Sequence, residues 1–195
     1  MQDLTEGVAR FQRDVFPAKA ELFAHLATNH TPHTLFIGCS DARVVPELIT
    51  GAEPGDLFVI RTAGNLVPAY RPEADGVAAS IEYAVAALGV RDIIVCGHSA
   101  CGAMTALAQD HDLGGAPAVA AWLRHADASR ARTTAAGDVP ALVRQNVYAQ
   151  LTNLATHPSV ARALARRKVT LHGWVFDIAT GGVEELPTAG PALAA

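Results

Sequence analysis

Cys39, Asp41 and Arg43 follow one another closely in T-L-F-I-G-C-S-D-A-R (34–43), and His98 and Cys101 do so in I-I-V-C-G-H-S-A-C-G (93–102). Thiolate and imidazole suit zinc, and Cys39, His98 and Cys101 form a Cys₂His set, the size of a catalytic site that keeps one position open. Two thiolates cancel the charge of a zinc ion, so such a site acidifies bound water less than an all-imidazole one and needs a proton acceptor nearby. Asp41 stands where a carboxylate can orient or receive that proton, or bind the metal itself. Arg43, with its planar fork of donors, can hold Asp41 ionised and aimed. The third cysteine, Cys96, lies inside an apolar run and reads as a small buried side chain.

Both stretches share one grammar, an apolar run that breaks into a turn carrying reactive side chains. In open α/β sheets ligands gather beyond the carboxyl ends of strands, which is where these residues would sit. Strands are expected at 34–38, 57–61, 92–97 and 169–177, with a turn at E-P-G-D (53–56). Helices are expected at 46–51, 75–89, 102–110, 140–156 and 159–166, and a short helical piece within 119–125 of the Gly- and Pro-punctuated stretch 111–137. Residues 3–30 read as two helices joined near Pro17, able to lie across their own domain or across a second subunit. The fold class is therefore α/β, a mostly parallel central sheet of four to five strands flanked by helices. One domain spans 1–195, with an N-terminal helical arm (1–30) and a loose C-terminal tail (187–195).

Composition narrows the function. The chain has 195 residues, half of them hydrophobic and 17% charged, enough for one packed α/β core. A formal charge of -4 gives no basic footprint for nucleic acid, and no stretch reaches the roughly 18 apolar residues of a membrane span. No secretory signal is visible at the N-terminus. The three cysteines sit at or beside strand ends, so a reduced, cytoplasmic, metal-binding protein is expected rather than a disulfide framework.

At these residues the chain resembles the β-class carbonic anhydrases, in the plant-type open-site subgroup. The family's C-x-D-x-R and H-x-x-C-G signatures match 39–43 and 98–102, and the likeness continues through R-T-A-G-N-L-V-P (61–68), S-I-E-Y-A-V (80–85) and L-H-G-W-V-F-D (171–177). The resemblance implies reversible hydration of CO₂ to bicarbonate and a proton. It implies one Zn²⁺ per chain on Cys39, His98 and Cys101, with zinc-bound hydroxide assisted by an Asp41–Arg43 dyad. It also implies a homodimer or dimer of dimers whose cleft lies at the dimer interface. Phe58, Ala63, Leu66 and Gly102 would line that cleft, and Tyr83 would reach in from the other subunit.

Two departures from the family pattern bear on function. Where members commonly carry a substrate-binding glutamine this chain has His30, which would keep one hydrogen bond and add pH dependence. Where some bacterial members carry a Trp and a Tyr that bind an inhibitory bicarbonate, this chain has Phe36 and Phe176, which cannot make those bonds. No such inhibitory site is expected, and the fourth zinc position is expected to be open near neutral pH.

Overall fold

The computed structural model describes residues 4–73 and 75–188, and the chain divides into two compact units, Met1–Thr31 and Pro32–Ala195. In the N-terminal unit, helix α1 (Leu4–Arg10) passes through a π-helical turn (Phe11–Val15) and a 3₁₀ turn (Phe16–Lys19) into α2 (Ala20–Leu26). Pro17 lies in the first turn of the 3₁₀ segment, where its missing N–H costs nothing. The rings of Phe11, Phe16 and Phe23 pack on one another, with centroids 5.4 to 6.1 Å apart. The expected helical pair is present, joined through one π turn and one 3₁₀ turn.

The second unit is built on β1 (Thr34–Cys39). It runs through α3 (Pro46–Thr50), β2 (Leu57–Thr62), α4 (Gly76–Glu82, extended by a π turn to Leu88) and β3 (Asp92–His98). Then come α5 (Gly102–Ala108), α6 (Pro117–Leu123), α7 (Asp127–Arg132), α8 (Val139–Ala155), α9 (Pro158–Ala165), β4 (Thr170–Phe176) and β5 (Val183–Leu186). The sheet order is β2-β1-β3-β4-β5, parallel throughout except for the antiparallel β5.

Every residue of β1 is buried, as a strand covered on both faces requires. Leu35, Ile37, Ile93 and Val95 face α8 through Val147 and Leu151, while Phe36, Ile94 and Cys96 face the other way with Trp174 and Phe176. Helix α8 lies very close to the sheet. A methyl group built on Gly97 would come within 2.9 Å of Val147 Cγ2, and one on Gly173 within 2.9 Å of Val147 Cγ1. The N-terminus of α4 is capped by Asp75, whose Oδ1 accepts 2.8 Å bonds from the N–H groups of Val77 and Ala78.

Two expectations need correction. Residues 183–186 form a fifth strand, registered Phe176↔Val183 to Gly173↔Leu186, in a stretch to which no element was assigned. Of V-E-E-L only Leu186 is buried, so the run carries too little apolar alternation to announce itself. The stretch 111–137 is also richer in helix than one short piece, holding α6, a 3₁₀ turn (Arg124–Ala126) and α7. Of the tail, residues 189–195 lie outside the described residues.

Candidate active site

Strands β1 and β3 are neighbours, with β2 added on one side and β4 on the other, so the chain reverses its direction of sheet growth between them. Such a switch point opens a crevice at the carboxyl ends of the strands. Cys39 ends β1 and His98 ends β3 there, and Cys101 is the N-cap residue just before α5. All three are buried, and their ligand atoms lie within 4.8 Å of one another.

The protonation pattern of this cluster suits a metal. His98 Nδ1 donates to the Ser99 carbonyl at 2.9 Å, which leaves Nε2 as the unprotonated nitrogen. Fully buried, Nε2 has no hydrogen-bond partner among the described residues. A lone pair so placed is costly unless an ion takes it up. Cys39 is pulled below the ordinary thiol range, first by the hydrogen bond from Cys101 and also by the Asp41 and Gly64 N–H groups, against the opposing effect of burial. Cys101 is pushed up correspondingly, by that same hydrogen bond and by burial. Three soft donors converging in this way could hold a metal ion, and they are of the type zinc prefers.

Asp41 borders the cluster. Its Oδ1 accepts from Arg43 Nε at 2.9 Å and from the Arg43 N–H at 3.0 Å, and its Oδ2 accepts from Arg43 Nη2 at 2.6 Å. That fork holds the Asp41 carboxyl far below the usual carboxylate range, so it is ionised throughout the neutral region. Oδ2 stands 3.9 Å from His98 Nε2. Arg43 Nη2 also reaches the Ala100 carbonyl at 3.1 Å, joining the dyad to the turn between His98 and Cys101.

The other sequence-derived candidates divide. Leu66 is packed with Cys39 and Cys101 in one apolar cluster, Ala63 sits in the 3₁₀ turn after β2, and Gly102 opens α5. Phe58 and Tyr83 instead pack on each other, centroids 5.9 Å apart, and Phe58 lines a groove of about 790 Å³ along β2. His30 follows α2 in the N-terminal unit. Phe36 is fully buried with its ring 6.4 Å from Trp174, inside the apolar cluster that also holds Phe176 and Cys96.

Sequence reasoning missed the residues that shape the two loops. Arg61 donates to the carbonyls of Cys39 (3.0 Å), Asp41 (2.6 Å) and Val44 (2.7 Å), which folds the 39–44 turn around its guanidinium. Asn146, Gln150 and Asn153, on one face of α8, bond to backbone groups of Gly64 and Val67 at 2.8 to 2.9 Å. Their spacing of four and three residues was a legible signal, since one helical face does not gather three amides without a polar partner.

Residues 34–183 match the family described as carbonic anhydrase. The chain belongs to the β-carbonic anhydrase family. It is 57% identical to the carbonic anhydrase of Pseudomonas aeruginosa, over 97% of this chain and 89% of that protein. Among solved structures it is similar to the β-carbonic anhydrase CcaA, with a TM-score of 0.90 and 41% identity over 96% of this chain and 95% of the other. It is also similar to a tetrameric β-carbonic anhydrase of Sordaria macrospora, with a TM-score of 0.78 and 35% identity over 94% of each chain. As a carbonic anhydrase this chain is an enzyme, and the β-carbonic anhydrase reaction is zinc-dependent hydration of CO₂. Among the described residues no helix is long and apolar enough to cross a membrane.

Proposed function

We propose that Cys39, His98 and Cys101 hold the zinc ion and that Asp41 and Arg43 are the catalytic dyad of reversible CO₂ hydration. The observation that carries this reading is the Asp41 carboxylate, clamped by Arg43 with Oδ2 at 3.9 Å from His98 Nε2, which has no hydrogen-bond partner among the described residues. Bound zinc would supply the Lewis acidity that makes water nucleophilic near neutral pH. Asp41 Oδ2 accepts a hydrogen from the attacking water and so turns an oxygen lone pair toward the CO₂ carbon. Arg43 keeps Asp41 ionised and fixed during this step, through two side-chain bonds that a protonated or rotated carboxyl could not keep. Water and CO₂ give bicarbonate and one proton, and the proton leaves to solvent.

Phe58, Ala63, Leu66 and Gly102 line the substrate pocket in this reading, with Tyr83 reaching in from the other subunit. Phe36 and Phe176 offer no donors for an inhibitory bicarbonate, and Asp41 is held by Arg43, so a bound zinc would keep its fourth position open to water at neutral pH. Exposed Leu4 and Val8 in the N-terminal unit favour a homo-oligomer, and three free, buried cysteines suit the reducing cytoplasm. A monomer by sedimentation equilibrium would overturn the oligomer.

The test is stopped-flow CO₂ hydration at pH 7 and pH 8.5 on protein of measured zinc content. Fast turnover at both, with about one zinc per chain, is the expected result. Asp41→Asn should keep its zinc and lose roughly 10²-fold in kcat. Activity confined to the higher pH would overturn the open site, and an Asp41→Asn variant of full activity would overturn the dyad.

A further inference from the structure

Gly64 donates its N–H to Cys39 Sγ at 3.4 Å, a bond from a peptide that is itself held on every side. The oxygen of that same peptide, the Ala63 carbonyl, accepts from Trp122 Nε1 at 2.9 Å. The next carbonyl, that of Gly64, accepts from Asn146 Nδ2 at 2.9 Å. Asn146 cannot turn over, because its Oδ1 accepts from Gln150 Nε2 at 2.9 Å and from Ser129 Oγ at 3.2 Å. Gln150 is fixed in turn, since its Oε1 accepts the Val67 N–H at 2.9 Å. Asn146, Gln150 and Ser129 are fully buried.

Gly64 also has to be a glycine. Its φ is +73°, and a Cβ there would stand 3.0 Å from Ala103 Cβ and 3.2 Å from Met104 Cε. The loop therefore approaches α5 as bare backbone, and its direction is set by the two side chains that grip its carbonyls.

We propose that Trp122 and Asn146 are positioning residues that aim the Gly64 N–H at Cys39 Sγ and thereby limit how much electron density this thiolate donates to the metal. This rests on Cys39 being a ligand. The Trp122 N–H, the 63–64 peptide and the sulfur form one line of hydrogen bonds, in which a donor at the oxygen end polarises the N–H at the other. Withdrawing density from a thiolate leaves the ion a stronger Lewis acid, and outer partners of metal ligands commonly govern affinity and activity in this way.

The experiment uses the cobalt(II)-substituted full-length enzyme, where thiolate-to-cobalt charge-transfer absorption reports the sulfur directly. Trp122→Phe removes one N–H and keeps an aromatic ring. Asn146→Asp removes the donor to Gly64 and keeps both acceptor contacts. Both variants should shift the charge-transfer band to lower energy, as expected of a thiolate that donates more density to the ion. Leu154→Ala, a core truncation on the same helix that makes none of these bonds, should lower Tm and leave the band in place. An unmoved band in both clamp variants, or an equal shift in Leu154→Ala, would overturn the positioning role while leaving the ligand set intact. A wild-type cobalt enzyme with no charge-transfer band would instead overturn Cys39 and Cys101 as ligands. Should Asn146→Asp fail to fold, Trp122→Phe decides alone.

Discussion

Cys96 and Cys39 lie on adjoining strands, and Cys96 pairs in register with the residue just before Cys39. Both are buried, yet their chemistry is opposite. Cys96 sits among Phe36, Ile94, Trp174 and Phe176, and burial pushes its thiol up to about 12. Cys39 faces the switch-point crevice, where Cys101 and two backbone N–H groups draw its pKa down in spite of burial. Burial alone makes a thiol inert, and donors aimed at the sulfur make it a ligand. The two faces of one sheet differ here in what points at the sulfur.

The sharpest way to break this contrast is to exchange sulfur for oxygen on each side. Cys39→Ser should lose zinc and fall to background hydration, by metal analysis and stopped flow, whereas Cys96→Ser should keep both. Because Cys96→Ser places a hydroxyl in an apolar cluster, it should cost about 1–3 kcal/mol of stability by denaturant unfolding. Loss of zinc from Cys96→Ser would show that the two faces are not independent.

A second, smaller effect tests how the crevice side is built. Gly173→Ala should push α8 off the sheet and lower stability by about 1–3 kcal/mol, read by thermal unfolding. Since α8 carries Asn146 and Gln150, the same variant should also loosen the loop at Gly64, which Cys96→Ser should not do.

The smallest effect concerns acid. Asp41 is held below its ordinary range by Arg43, so the stability this pair contributes is fully present above the unfolded carboxylate pKa of about 3.9 and is lost as pH falls through the lower folded value. The Tm difference between wild type and Asp41→Asn should therefore stay flat from pH 7 to pH 5 and shrink only in stronger acid. A difference that closes between pH 7 and pH 5 would mean that Asp41 does not hold the ionised, Arg43-bound state.

The parts legible in sequence were those with dense local signals. The strands at 34–39, 57–62, 92–98 and 170–176 were readable as apolar runs ending in turns, and so was the ligand-type cluster at two of those ends. Strand β5 was not, since three of its four residues are exposed and its register comes only from pairing with β4. Arg61 and Trp122 were hidden for another reason. Each acts on a distant backbone carbonyl, and a carbonyl has no residue type to betray it. The amides at 146, 150 and 153 fall between these cases, with a visible pattern whose partner only the fold supplies.

The placement of the proposed ligands across β1 and the β3–α5 turn has a consequence for the order of assembly. No single helix or hairpin contains the set, so zinc can be captured only after two non-adjacent segments have come into register as neighbouring parallel strands. Such pairing is slow to nucleate, because a long loop must close before any bond rewards it. Captured zinc would then act as a rivet between the two central strands. It would lengthen the lifetime of a sheet already formed without hastening its formation, and zinc content would be a record of chains that had completed their sheet.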